Sequence, residues 1–469
     1  MSFKFISVEN PGWTPQSLFF SLNPKEHSVL LQSGRFHPKT ARYSYLCLEP
    51  SAFLKVHEKK CHYQSFETSE KTIWEGNPFL FLKEKIKETS QTISSETSQL
   101  PPFSGGAIGV IGYEGRLWTE PIALTPKPNL ELPDMFFLFF NWGIALDHFE
   151  NKILLFAQTP HAAKIDALIE QVSSKPKQEK KKEGIHFPLQ ALWQSNFSQQ
   201  EFCAIVEKAK NYIAAGDIFQ VNLAQMFSCQ SEVDGGVLFS ALNEVNPSPF
   251  SAYFKTPDFE IISCSPERLI RMDGKNAETR PIAGTRPRLP DFFEDSQLEQ
   301  ELQKNKKERA EHIMLLDLER NDLGRVSQFG SVEVTEFLAV ENYSHVRHLV
   351  SNVKSILKAE HDAFDLFKAM FPGGTITGTP KVRAMQIIEE LETVGRHFYT
   401  GSLGYFSYTG KMDFNILIRT FIKKKNHLYL HAGAGIVADS VPEKEYEETW
   451  HKAKALMKAL TLAETLTKA

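Results

Sequence analysis

The sequence predicts an α+β protein, not a doubly wound parallel sheet. Up to residue 172, short apolar runs bounded by turn residues dominate. From residue 195 onward, strand-length runs and helical periodicities mix without a strict strand–helix–strand rhythm. A chain of 469 residues also exceeds what one ordinary hydrophobic core serves, so one large composite domain or two domains are expected.

Residues 173–194 separate an amino-terminal region, 1–172, from a carboxy-terminal one, 195–469. Ser173 to Glu179 and the run Lys180 to Lys182 are polar, contain Pro176 and have no apolar face, which reads as a solvated connection. Glu88 to Gln99, rich in Ser and Thr and followed by Pro101-Pro102, reads as a surface loop. No internal repeat is present. In the first region, strands are expected at His27–Leu31, Tyr43–Leu48, Ala107–Ile111, Met135–Phe140 and Ile153–Phe156. Gly105 to Gly109 lacks dinucleotide-loop spacing and reads as close strand packing.

In the second region, Ser198 and Glu201 form a capping box for a helix with Phe202, Ile205, Val206, Ala209, Tyr212 and Ile213 on its apolar face, ended by Gly216. Glu260–Cys264, Ser402–Phe406, Phe414–Ile422 and Leu428–Ala432 read as strands. Leu298–Leu318, Ala363–Met370, Lys381–Leu391 and Pro442–Leu460 read as helices, the last with Ser440 as N-cap and Glu443 closing a capping box.

Apolar residues make up 42% and charged residues 23%, with a net charge of −4, so neither nucleic acid nor an anionic membrane is expected as a partner. The amino terminus has no basic start followed by an apolar run, and no segment approaches the roughly 18 apolar residues of a membrane span. Cys47, Cys61, Cys203, Cys229 and Cys264 are scattered without CxxC spacing, which fits a reducing cytoplasm and no disulfide framework. Cys61-His62 reads as an incidental pair.

Two Glu-x-x-Glu pairs, Glu308/Glu311 and Glu445/Glu448, each lie on one face of an expected helix. Such pairs serve either surface salt bridges or a hard divalent cation, since magnesium borrows one or two carboxylates and completes its shell from water and substrate. Phe371 to Lys381 is a small-residue loop entering a helix, where exposed N–H groups suit a carboxylate or phosphate. His431 to Gly435 closes a strand with similar small residues. Arg419 is placed in an expected buried strand, where it needs an anion: an acidic substrate or an internal carboxylate.

Together these segments resemble the chorismate-binding family, which includes anthranilate synthase, aminodeoxychorismate synthase, isochorismate synthase and salicylate synthase. The resemblance runs in order through Gly216 to Asn222; Ser265-Pro266-Glu267; Glu278 to Thr285; Lys307 to Glu311 with Asp317 to Arg325; Tyr343 to Val346 with His348; Gly374 to Lys381; and Gly433 to Ser440 with Glu445 and Glu448. It covers nearly everything from residue 195 onward. It implies a large composite fold of antiparallel sheets packed together with helices outside. It also implies Mg2+ held directly by Glu311 and Glu448, with Glu308 and Glu445 in support. Tyr399, Arg419, Gly433 and Gly435 would hold the enolpyruvyl carboxylate of chorismate, with Ala283 and Lys381 also at substrate-binding positions. His348, with Thr375, would act on the departing hydroxyl, and Glu267 would be a further acid/base or positioning group.

Family branches differ at the position of Ala283. In many aminodeoxychorismate synthases, and in the members that add water, a lysine there serves as nucleophile or general base; alanine does neither, so addition of water and the lysine-adduct route are disfavoured and direct attack by ammonia favoured. Alanine is typical of anthranilate synthases. Gly373 to Gly378, and Leu30 to Gly34 followed by Arg42 to Leu46, instead resemble aminodeoxychorismate synthase component I, the preferred branch. Gln32 departs from the Leu-Leu-Glu-Ser element that anthranilate synthases use for tryptophan feedback. No glutaminase segment is visible, so a glutamine amidotransferase partner is implied, with tryptophan a candidate ligand of the amino-terminal region. The reading of another class is a non-catalytic regulator that binds an aromatic metabolite.

Overall fold

The computed structural model describes residues 3–34, 41–90, 100–120, 122–123, 127–128, 130–176, 192–288, 292–342 and 346–468. The lysine run of the connection, the Ser/Thr-rich stretch from 91 to 99 and the Tyr343 to His345 part of one motif lie outside the described residues.

Two large sheets organise the chain, each of twelve strands among the described residues, with every pairing between them antiparallel. Both regions build both sheets. In the first sheet the amino-terminal strand Ser28–Gln32 pairs with Phe250–Lys255, and the sheet continues through Glu260–Ser265, Thr420–Lys424 and His427–Ile436 to Gln220–Gln230. In the second, Gly106–Ile111 pairs with Ser402–Ser407 and leads through Met412–Asn415, Arg268–Asp273 and Asn276–Thr279 to Val346–Ile356.

The alternation of apolar residues explains the layering. Val29, Tyr45, Ile108, Phe136, Leu138, Phe254, Ile261 and Leu403 come from both sheets and form one shared apolar cluster between them. Helices cover the outer faces. Pro78–Ser90, Lys306–Gly324 and Ala363–Met370 pack on the second sheet, while Gly235–Val245 and Pro442–Lys468 pack on the first. This is the expected α+β arrangement. Close strand packing at Gly106 is confirmed: its φ is +139°, and a Cβ would stand 2.2 Å from the Phe406 carbonyl oxygen.

Several boundaries match and others shift. Helix Gln199–Ala214 opens on the expected capping box, with the Ser198 hydroxyl accepting from the Glu201 N–H at 3.3 Å, and Gly216 follows it with φ +82°. The single helix expected over Leu298–Leu318 is two, Phe292–Lys304 and Lys306–Gly324. Asn305 breaks the run and caps the second helix by accepting from the Glu308 N–H at 3.1 Å. The carboxy-terminal helix starts at Pro442 and runs on to Lys468, and its first turn bonds to the Val441 carbonyl. Ser440 is therefore not its N-cap; its hydroxyl accepts from the Val437 N–H at 3.1 Å.

The strand expected over Phe414–Ile422 is also two, and this break matters most. Met412–Asn415 belongs to the second sheet and Thr420–Lys424 to the first. The residues between cross from one sheet to the other, and the crossing ends on Arg419 with φ +54°, a left-handed conformation that a non-glycine residue seldom adopts.

Candidate active site

Two adjoining cavities, of about 220 and 570 Å3, share the walls Asn222, Ala283, Gly284, Thr375, Arg419 and Lys452. Glu267, His348, Tyr399 and Gly433 line the smaller one, and Glu308, Glu311, Gly435, Glu445 and Glu448 the larger. The structure thus brings together every residue singled out above except Lys381. That side chain is buried elsewhere, paired with Asp322 at 2.5 Å and donating to the Pro372 carbonyl at 3.1 Å. Its ammonium anchors the loop from behind.

Arg419 stands where the two cavities meet. Its guanidinium donates to the Lys452 carbonyl at 2.6 Å, and among the described residues no carboxylate lies within ion-pair distance of it. Burial pulls its pKa below the ordinary arginine value, against the favourable fields of Tyr399 and Glu448. A half-buried cation held only by a carbonyl suits an anionic ligand. Tyr399 stacks on His431, with ring centroids 5.2 Å apart and planes 11° apart, and burial raises its phenol to about 12. Gly433 must be glycine, since a Cβ would stand 2.5 Å from Asn222 Oδ1 and 2.8 Å from the Tyr399 hydroxyl. That buried Asn222 oxygen has no hydrogen-bond partner, which leaves an acceptor for a ligand.

Glu267 follows strand Glu260–Ser265 and is 6% exposed. Burial raises its carboxyl to about 7, opposed by the Thr375 hydroxyl and the Ile282 N–H. The Thr375 contact falls short of a regular hydrogen bond, and Glu267 Oε1 is buried without a partner. His348 lies on Val346–Ile356 opposite Thr285 and Glu341. Burial lowers it to about 4, more than a Gly284 backbone bond restores, and Arg419 lowers it further. Near neutral pH the imidazole is neutral, while Glu267 is close to half protonated.

At the other end, helices Lys306–Gly324 and Pro442–Lys468 each point their glutamate pair into the larger cavity. Burial first, then the Glu308 and Glu448 charges, raise the Glu311 carboxyl, and Gln220 opposes this by donating to Oε1 at 3.1 Å. Glu445 is raised by burial and by Glu448, against a bond from Ser440. Arg286 meets Glu308 at 3.0 Å, and Lys452 meets Glu448 at 2.6 Å. Among the described residues, no three His, Cys, Asp or Glu side chains gather closely enough to enclose a metal by themselves. A facing set with mutual repulsion fits an ion that takes few protein ligands and draws the rest from water and substrate, as magnesium does.

Sequence reasoning missed Lys452, Gln220 and Arg286. Lys452 donates to the Gly433 carbonyl at 2.9 Å as well as meeting Glu448, and so ties the two ends together. Its four-residue spacing from Glu448 was a signal, indistinguishable from a surface ion pair until the cavity was in view.

A family model for chorismate binding enzymes matches residues 32–458. The chain belongs to that family. It is 43% identical to aminodeoxychorismate synthase component 1 of Bacillus subtilis, covering 95% of this chain and 94% of that protein. It is 40% identical to anthranilate synthase component 1 of Aquifex aeolicus, over 96% and 93% respectively. Among solved structures, anthranilate synthase component I of Streptococcus pneumoniae superposes with a TM-score of 0.78 at 34% identity, covering 90% of this chain and 94% of that one. The two relatives from different branches are nearly equidistant, so family membership leaves the reaction to be argued from the site. No helix among the described residues is long and apolar enough to cross a membrane.

Proposed function

We propose that the chain is component I of an aminodeoxychorismate synthase, which aminates chorismate with ammonia from a separate glutamine amidotransferase subunit. The observation that carries amination of chorismate is a single composite cavity with Arg419, free of any described carboxylate, at its centre and four glutamates at one end. A ligand with two carboxylates fits both features. One carboxylate meets Arg419 and the Tyr399 hydroxyl, and the other lies toward the glutamates. Magnesium, held by Glu311 and Glu448 with Glu308 and Glu445 beside them, would neutralise that second carboxylate and allow it to approach.

The net exchange forms a C–N bond and breaks the bond from the ring to the C4 oxygen. The hydroxyl leaves as water after accepting one proton, and the entering nitrogen sheds one. Glu267, raised to about 7, supports the role of proton donor, since a general acid works best with a pKa near the working pH. His348, lowered to about 4, suits a neutral hydrogen-bonding partner of the same hydroxyl, or an acceptor for the proton from nitrogen. Ala283 offers no nucleophile, so ammonia reaches the ring directly. All of these groups lie in the region 195–469.

The preference for the aminodeoxychorismate branch rests on the Gly373 to Gly378 loop and on Gln32. Gln32 and Ser33 line a separate cavity of about 430 Å3 with Tyr43, Tyr45 and Phe250, the site we assign to tryptophan. The amino group of tryptophan would meet an amide there in place of a carboxylate. Ala283 favours the second reading, anthranilate synthesis. Incubating the purified chain with chorismate, magnesium and ammonium and weighing the product decides between them. Aminodeoxychorismate is expected, and anthranilate alone would establish the second reading. No turnover with either ammonia or a glutaminase partner would overturn the enzyme.

A further inference from the structure

Asn222 lies on strand Gln220–Gln230 and lines both cavities of the site. Its main chain is fixed from two sides. The Asn222 N–H donates to the Thr377 carbonyl at 2.8 Å, in the small-residue loop. Its carbonyl accepts from Arg396 at 2.7 Å, and the same guanidinium bonds the Ile376 carbonyl at 3.0 Å and pairs with Glu392 at 2.6 Å. The side chain is under no such constraint. Among the described residues, neither Oδ1 nor Nδ2 of Asn222 makes a hydrogen bond. An amide offers two N–H donors and an acceptor with two lone pairs, so a half-buried one that uses none of them points to a ligand that completes it.

The neighbouring strand leaves room for that ligand. Asn222 stands opposite Gly435 in the pairing with His427–Ile436, and Gly433 lies two residues along the same strand. Neither glycine carries a side chain that could cover the amide. Asn222 Oδ1 and the Tyr399 hydroxyl converge on Gly433, at 2.5 and 2.8 Å from where its Cβ would stand. The free amide is therefore beside the phenol that, with Arg419, meets the first carboxylate of the ligand proposed above.

We propose that Asn222 is a further substrate-binding residue, whose NH2 group donates to the carboxylate held by Arg419 and Tyr399. The inference rests on the reading of chorismate in this cavity. A carboxylate has about four lone-pair sites, more than Arg419 and Tyr399 need fill. By turning about its last bond the amide can present either end to the cavity. Beside an anion the N–H end is favoured, because the carbonyl end repels it. This donor stands on a strand residue pinned at both edges, so it fixes the direction of the carboxylate without adding charge.

The test measures chorismate binding by equilibrium dialysis with magnesium and no ammonia, then steady-state rates with ammonium, for wild type, Asn222→Leu and Asn222→Asp. Leucine removes the donor at similar length. Its Kd and KM for chorismate should rise about tenfold or more, the size of one hydrogen bond to a charged group, with kcat and the ammonium KM within about threefold. Aspartate keeps the shape of the amide and replaces the donor with an anion, so chorismate affinity should fall further, by about a hundredfold. Thermal midpoints check the fold, and should leucine unfold the chain, the isosteric aspartate carries the test. Chorismate affinity within about threefold of wild type in Asn222→Asp would overturn the proposal, since an accepting or idle amide tolerates that change. So would a loss in Asn222→Leu confined to the ammonium KM or to kcat. A wild type that binds chorismate without turning it over would instead reject the amination reading, while the dialysis still tests Asn222.

Discussion

Replacing Glu267 with glutamine keeps the shape of a side chain that is 6% exposed and removes its transferable proton. Burial is the main cause that lifts this carboxyl from 4.5 to about 7. Between those two values the folded chain keeps a proton that the unfolded chain has shed. The contribution of Glu267 to stability is thus fully present below 4.5 and is lost as pH rises to about 7, at about 1.4 kcal/mol per unit, or on the order of 3 kcal/mol across the window. An amide does not titrate. Urea unfolding at several pH values should therefore show Glu267→Gln gaining on wild type by on the order of 3 kcal/mol from pH 4.5 to 7, with no further gain above. Turnover should fall by about 10²–10⁴, the usual worth of a general acid. In wild type the rate should decline as pH rises through about 7, because the protonated carboxyl is the working form. Stability curves that stay parallel, or a variant that keeps most of its rate, would refute the assignment.

Arg419→Gln should lower kcat/KM for chorismate by two orders of magnitude or more, since truncating one partner of a buried charged contact costs about 2–5 kcal/mol, and excess ammonium should not restore it. Glu311→Gln should abolish magnesium-dependent turnover with an unchanged circular dichroism spectrum. Its thermal midpoint should not fall, because burial and the Glu308 charge already disfavour the ionised form. Lys381→Met should destabilise the fold by about 3–5 kcal/mol by stranding Asp322, which is 2% exposed. The chorismate KM of the folded fraction should stay near wild type, whereas a large rise would return Lys381 to substrate binding.

The parts of this site legible in the sequence were those set by local rules. Helical spacing placed each glutamate pair on one helix face but left surface ion pairing and metal binding both open until the neighbouring motifs were added, whereas the Ser198 cap needed only its box. Alternation alone read Phe414–Ile422 as one strand, because it cannot register that the chain leaves one sheet at Asn415 and enters the other at Thr420. The turn that aims Arg419 into the cavity is a consequence of that crossing. Lys381 misled for a similar reason, as its partner Asp322 lies on a distant helix. Asn305 broke a helix that periodicity carried through, since its cap acts on a single turn. Local chemistry was visible in the sequence, and pairing across the two sheets was not.

The central claim is that one cavity holds chorismate between Arg419 and the glutamates. A crystal structure with chorismate and magnesium, ammonia withheld, tests it most directly. The expected result is one carboxylate on Arg419 and Tyr399, with the metal between Glu311, Glu448 and the other carboxylate. Chorismate bound elsewhere, or bound there with Arg419 turned away and no metal at the glutamates, would contradict it.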